Sequence, residues 1–336
     1  MLSLNTQQKQ ALNGYKFIDL FCGIGGFHLA LAAFGSECVF ASEINNEAKK
    51  IYTENFHIEP KGDITKINAD DIPAHDIICA GFPCQPFSVS GNQVGLDAPS
   101  GKLFFEITKI ARHHHPKVIL LENVANLENH NKGKTIDTML DDLRDAGYTP
   151  FKKNLDSSNF GVPQCRKRLY IVAFKNDLNI HEFIFPNGTL TQTKLVDILQ
   201  GEDETEAMQC RIHRKFNLRG NHLDSEPQYG TIVRIGEIGT GRQGERIYSI
   251  HGCATTLSST GGGLGGRTGI YYINRHIRKL TARECARLMG FPDEYIISSL
   301  RNQAYCQFGN SVVVNVLQQI IIEVLPHFRE EKKNNG

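Results

Sequence analysis

The first half of the chain alternates short, continuous apolar runs with amphipathic stretches at helical spacing. Residues 15–21, 37–42, 75–80, 117–121 and 168–174 read as strands. Between them, residues 26–34, 46–55, 103–114 and 134–146 read as helices, the first stopped by Gly35. Strands that are apolar along their length and separated by helices predict an α/β fold, with a mainly parallel sheet covered on both faces.

The alternation breaks near Pro186. An acidic run at residues 201–206 reads as a surface loop, and residues 231–270 hold eleven of the chain's 31 glycines beside short β-prone pieces. That composition predicts a small module of irregular strands and loops. Helical patterning resumes at residues 281–289, stopped by Gly290 and Pro292, and residues 312–325 read as a core helix that returns to the first domain. The expected partition is therefore residues 1–185, 186–275 and 276–336, with a frayed tail at 332–336.

Length and composition fit this picture: 336 residues, 40% hydrophobic and 22% charged, suit a globular protein of two domains. No run approaches the roughly 18 apolar residues of a membrane span, and the polar first thirteen residues suggest no export signal. Nine cysteines without a paired spacing point to reduced thiols in the cytoplasm, with no metal expected. His113-His114-His115 reads as a solvated helix end, because adjacent helical residues point in different directions. Net charge is only +1, but residues 205–280 carry eleven Lys/Arg against five Asp/Glu. A basic segment on a mildly acidic body is the footprint of a face that meets phosphates.

Chemistry concentrates at strand ends. Asp19-Leu20-Phe21-Cys22-Gly23-Ile24-Gly25-Gly26-Phe27 is a glycine-rich turn after the first strand, but His28 stands where a dinucleotide fingerprint needs its third glycine. Glu43 follows the second strand, where an acid holds ribose hydroxyls, and Asp63 is placed to meet an adenine amino group. Turn, acid and second acid in that order suit a nucleoside cofactor without phosphates, namely S-adenosylmethionine. Gly81-Phe82-Pro83-Cys84-Gln85-Pro86-Phe87-Ser88 follows the third strand and Glu122-Asn123-Val124 ends the fourth. A thiol and a carboxyl there read as nucleophile and acid–base partner. Gln164-Cys165-Arg166-Lys167-Arg168 sets two alternate arginines before a strand. In Gln307-Phe308-Gly309-Asn310-Ser311-Val312, Asn310 or Ser311 caps the last helix.

In type, order and spacing these five motifs resemble those of the DNA cytosine-5 methyltransferases, over nearly the whole chain. The resemblance implies a Rossmann-like, S-adenosylmethionine-dependent methyltransferase domain with a small target-recognition domain at 186–275. It implies that Cys84 adds to C6 of a cytosine, that Glu122 serves N3, and that Arg166 and Arg168 neutralise charge and position the base. Cofactor contacts would come from Asp19, Phe21, Gly23, Gly25, Gly26, Glu43, Ile44, Asp63, Ile64, Pro83, Asn310 and Val312. The target must leave the duplex; Gln243 and Ser90 would fill the gap, Arg246 would read a guanine and Thr256 would grip the backbone. The implied partners are double-stranded DNA with a site containing GCGC and a cognate restriction endonuclease, for a bacterial, cytoplasmic and monomeric enzyme.

Two departures stand out. Ile44 replaces an aromatic residue that packs on adenine, and Thr260 replaces a tyrosine near the outer bases of the site. Methylation of RNA is the alternative substrate reading. A nicotinamide-dependent oxidoreductase and a DNA-binding protein without catalysis are rivals that the Pro83-Cys84-Gln85 run and the presence of Glu122 disfavour.

Overall fold

The computed structural model describes residues 2–83, 102–190, 192–219, 229–261 and 263–328. Contacts divide the chain into two compact units. One comprises residues 3–155, 167–186 and 317–336, the other residues 1–2, 156–166 and 187–316.

The first unit is built on a six-stranded sheet of β1 (Lys16–Leu20), β2 (Glu37–Ser42), β3 (Ile77–Ala80), β4 (Val118–Val124), β5 (Tyr148–Asp156) and β6 (Lys167–Lys175). Their order is β2-β1-β3-β4-β6-β5. β1 runs parallel to β2 and to β3, β3 runs parallel to β4, and β6 is antiparallel to β4. All of β3 and the first six residues of β4 are buried, as expected of parallel strands covered on both faces. Helices α1 (Thr6–Lys9), α2 (Gly26–Ala32), α3 (Asn46–Phe56), α4 (Leu103–His114) and α5 (Lys134–Asp145) complete this part of the chain. On α5 the buried residues Ile136, Met139, Leu140 and Leu143 recur at helical spacing. They join Ile107 of α4 and Ile78, Ile119 and Leu121 of the sheet in one core.

β1 has β2 on one side and β3 on the other, so the chain reverses its winding there. A sheet of this kind binds ligands beyond the carboxyl ends of its strands at that reversal. Phe21, Glu43, Gly81 and Glu122 stand at the ends of β1, β2, β3 and β4 respectively.

The second unit holds a five-stranded sheet in the order β11-β10-β9-β8-β7. Its strands are β7 (Phe216–Leu218), β8 (Arg234–Ile238), β9 (Arg246–Tyr248), β10 (Ile270–Ile273) and β11 (His276–Arg278). Ile235, Ile238, Ile247, Ile270 and Ile277 form its core. Helix α6 (Thr205–Gln209) precedes these strands, α7 (Ala282–Leu288) and α8 (Arg301–Asn310) follow them, and from Leu317 onward α9 (Val314–Phe328) belongs to the first unit. Thr281 and Glu284 close a capping box at the start of α7.

Five features differ from the sequence reading. β5 was not anticipated, because Pro150 and a run of polar residues mask it, and an edge strand tolerates both. The acidic run expected as a loop leads into α6, which begins at Thr205. Asn310 is the last residue of α8 while α9 begins at Val314, so neither Asn310 nor Ser311 caps the last helix. Residues 301–328 are long and apolar enough to span a membrane, contrary to the expectation that no run approaches that length. The apolar window is 78% buried, as in a core helix. By contacts, residues 276–316 group with the glycine-rich module rather than with the first unit.

Candidate active site

In the first unit, the turn after β1 winds through left-handed backbone at Phe21, Gly23 and Gly25. A side chain at Gly25 would strike the Phe56 ring 2.1 Å away, whereas the space beside Gly23 is open. The turn then enters α2, whose first residue is Gly26. Glu43 locks the turn to β2: its Oε2 accepts the Gly23 N–H at 2.9 Å and its Oε1 the Asn45 N–H at 2.8 Å. Beside it, Ile44 is 74% exposed.

Asp19 lies beneath this turn, fully buried, and neither carboxylate oxygen is in a close, well-aligned hydrogen bond. Burial drives its carboxyl well above the usual range. The His28 N–H opposes this, the charge of Glu43 adds to it, and the Tyr52 hydroxyl opposes it. Tyr52 is itself 2.7 Å from Nδ1 of His28, whose ring stacks on Phe56. Burial lowers the His28 pKa to about 4, so the ring is neutral at pH 7. Asp63 caps a short turn through the Thr65 N–H at 3.1 Å and is held below the usual carboxylate range mainly by the hydrogen bonds from Thr65. Ile64 is buried next to it.

At the end of β4, Glu122 is 7% exposed and its Oε1 lies 3.2 Å from Nε of Arg168. In the β4–β6 register Glu122 faces Tyr170, two residues along from Arg168, so the pair is a diagonal one across adjacent strands. Asn123 reaches to the end of β3, donating from Nδ2 to the Phe82 carbonyl at 3.1 Å. Phe82 is buried and Pro83 half-buried. Cys84 and Ser90 lie outside the described residues.

The remaining expected residues belong to the second unit. Arg166 is 3% exposed and spends its guanidinium on carbonyl groups of the chain: Leu257 at 2.9 Å, Gly309 at 3.0 Å and Ser311 at 2.7 Å. That placement suits holding backbone in position rather than meeting a base. Thr256 is exposed, with its hydroxyl donating to the Cys165 carbonyl at 2.5 Å. Gln243 is exposed on a short helical turn immediately before β9, which Arg246 opens. Nε of Arg246 is buried with no hydrogen-bond partner. Asn310 is exposed and Val312 is buried.

The sequence reading missed the parts played by Asn123 and Gln164, although both stand inside quoted motifs. Gln164 is fully buried; it accepts the Leu257 N–H and donates to the Leu288 carbonyl. A buried amide in a polar motif is the available signal, since it must be satisfied on both sides. Tyr52 and His28 lacked even that, because they look like ordinary core residues. Among the described residues, no group of three or more His, Cys, Asp or Glu is placed to hold a metal ion.

Residues 15–325 match the family model for C-5 cytosine-specific DNA methylases. The chain is 46% identical over 313 residues to Type II methyltransferase M.HhaI of Haemophilus parahaemolyticus, covering 93% of this chain and 95% of that protein. It is 40% identical over 320 residues to Type II methyltransferase M.HpaII of Haemophilus parainfluenzae, covering 90% and 87% respectively. Among solved structures, S. pombe Dnmt2 methyltransferase superposes with a TM-score of 0.67 at 25% identity, over 93% of this chain and 98% of that one. The Entamoeba histolytica methyltransferase EhMeth shares the fold, with a TM-score of 0.72 at 18% identity over 94% and 99%. The family model and these relatives agree, and the chain belongs to the C-5 cytosine-specific DNA methylases.

Proposed function

We propose that the protein methylates C5 of a cytosine rotated out of double-stranded DNA, at a site containing GCGC, protecting that site from a cognate restriction endonuclease. The observation that carries this reading is the cluster at the ends of β3 and β4. Glu122 sits beside Arg168, and Asn123 is bonded to Phe82, two residues before Cys84. The relatives named above as Type II methyltransferases support the DNA substrate, and the RNA alternative draws no support from them.

The residues after β1 and β2 fit S-adenosylmethionine. Asp19 offers two buried oxygens in no well-aligned hydrogen bond, the Gly23 side of the turn is open, and Glu43 is already oriented by two backbone N–H groups. Phe21, Gly25, Gly26, Ile44, Asp63, Ile64 and Pro83 would complete the contacts in this unit; Asn310 and Val312 are further contacts that the family resemblance implies. When bound, this cofactor supplies the electrophilic methyl group that an activated C5 attacks.

The chain's own residues do the rest. C5 of cytosine is a poor nucleophile, so the Cys84 thiolate forms a bond to C6 and makes C5 enamine-like. Glu122 hydrogen-bonds at N3, drawing the added electron density off the ring, and Arg168 stabilises the charge that develops. After methyl transfer a base takes the C5 proton, the C–H electron pair re-forms the C5–C6 double bond, and the C6–sulfur bond breaks to release Cys84 as thiolate. Arg166, bonded to the Leu257, Gly309 and Ser311 carbonyl groups, serves by holding backbone.

Residues 186–275 serve as the recognition module, with residues 1–185 and 276–336 carrying catalysis. Gln243 and Ser90 fill the space the cytosine leaves, Arg246 reads a guanine edge, and Thr256 holds the adjacent backbone. The enzyme acts as a monomer in the bacterial cytoplasm. Bisulfite sequencing of DNA from an expressing host tests the whole reading. Methylated cytosines confined to one short motif are expected, and DNA without new 5-methylcytosine would overturn it.

A further inference from the structure

Three consecutive residues, Gln164, Cys165 and Arg166, hold a backbone segment 91 positions further along the chain. The Thr256 hydroxyl donates to the Cys165 carbonyl at 2.5 Å, and the Leu257 N–H donates to Oε1 of Gln164 at 3.0 Å. The Leu257 carbonyl accepts from Nη1 of Arg166 at 2.9 Å. Leu257 is buried, so both polar groups of its backbone depend on these side chains.

The other end of the same guanidinium serves a different segment. Nη2 of Arg166 donates to the carbonyl groups of Gly309 and Ser311, the residues on either side of Asn310. The two segments also touch directly. A Cβ at Gly309 would lie 2.2 Å from the Ser259 nitrogen and 2.3 Å from the Ser258 carbonyl carbon, so the end of α8 packs flat on the Ser258–Ser259 backbone. The Cys306 thiol donates to the Ser259 carbonyl at 3.2 Å.

We propose that Arg166 is a positioning residue that couples DNA binding at Thr256 to cofactor binding at Asn310. This rests on the reading above of Thr256 as a DNA contact and Asn310 as a cofactor contact. The physical reason is the rigid fork of the guanidinium. Its donors are fixed in one plane, so a carbonyl at one end cannot move without disturbing those at the other. These are charge-assisted bonds in a dry setting, where a displaced carbonyl would give up a strong partner that water does not readily replace. A DNA strand seated on Thr256 therefore sets the backbone around Asn310 before cofactor arrives, and cofactor seated first does the same for Thr256. Lysine would carry the charge but not the span, because one nitrogen replaces the two that divide Leu257 from Gly309 and Ser311.

The test measures binding of S-adenosylhomocysteine to the full-length protein by calorimetry, with and without a duplex carrying the motif that bisulfite sequencing reports. In the wild type, duplex should tighten this ligand by about fivefold or more, the scale of an ordinary allosteric coupling. In Arg166→Lys the ratio should fall below about twofold, whatever happens to the separate affinities. A merely structural role would weaken both affinities and leave the ratio intact, and that result would overturn the proposal. Should Arg166→Lys fail to fold, Gly309→Ala disturbs the same junction from the opposite side and must also lower the ratio. A wild-type ratio of one, in an enzyme that methylates its site, refutes the coupling and leaves the proposed function standing. A wild type that neither binds duplex nor transfers methyl refutes both.

Discussion

Asn123 joins the ends of β3 and β4: its Nδ2 donates to the Phe82 carbonyl at 3.1 Å while its Oδ1 accepts the Val124 N–H at 2.9 Å. The side chain is 3% exposed, so both bonds are shielded from water. Replacing it leaves the Phe82 carbonyl and the Val124 N–H without these partners, at a cost of about 1–3 kcal/mol each if nothing replaces them. Asn123→Ala should therefore lower kcat about tenfold or more through the backbone that runs into Cys84. Cofactor affinity should stay within about twofold. Single-turnover kinetics with a cofactor titration would show this, and an unchanged kcat would rule it out.

Cys84→Ser replaces a thiolate with a hydroxyl that is not ionised near neutral pH. Methyl transfer should become undetectable while specific DNA binding, measured by gel shift at fixed salt, remains within about tenfold of wild type. Substantial residual turnover would sink the covalent mechanism.

Arg246 opens β9 and pairs in register with Glu237 of β8, and its buried Nε has no hydrogen-bond partner. Loss of a bidentate contact to guanine removes about 1–3 kcal/mol of discrimination. Arg246→Ala should thus widen or abolish site choice in bisulfite maps and leave cofactor affinity alone. A map identical to wild type would contradict its role.

Asp19 gives a pH signature. Its folded-state carboxyl holds the proton more tightly than the unfolded one, chiefly through burial. Folding therefore loses stability as pH rises above the unfolded value of about 3.9, and the penalty is complete once the folded group has ionised. Asp19→Asn should raise the apo melting temperature at pH 7 and leave it nearly unchanged at pH 3.5, while weakening cofactor binding. Melting curves across that range, paired with calorimetry, decide it; a melting temperature lowered equally at both pH values would refute the assignment.

Ile44 presents 74% of its surface to solvent beside Glu43. An aromatic ring there gains about 0.5–1.5 kcal/mol from stacking on a planar base. Ile44→Trp should tighten S-adenosylmethionine binding by roughly two- to tenfold. No gain in a fluorescence or calorimetric titration would mean that adenine does not lie over this position.

Much of the fold was legible because parallel strands write themselves as unbroken apolar runs. β1 to β4 announce themselves in this way, and position alone marked the residues just beyond them as candidates. β5 was not, since Pro150, Lys152 and Lys153 suit an edge strand but break the pattern that identifies strands. α8 was missed for a similar reason: its buried residues are few, Ala304, Tyr305, Phe308 and Gly309, and Gly309 reads as a stop. Arg166 is the instructive case among the site residues. Its charge and motif suggested contact with substrate, but the carbonyl groups that receive it come from residues 257, 309 and 311, and no local pattern reveals partners so distant.

The route of the chain bears on how specificity in this protein could be re-engineered. Residues 156–166 leave the first unit as an eleven-residue excursion, long before the chain departs again at Asn187. Gln164 and Arg166, which hold Leu257, travel with that excursion. A chimera that imports only a foreign 187–316 block would confront it with native anchors shaped for a different backbone. Transplants that carry both pieces together should stay active where single-block exchanges fail, so the portable unit of site choice is discontinuous in sequence.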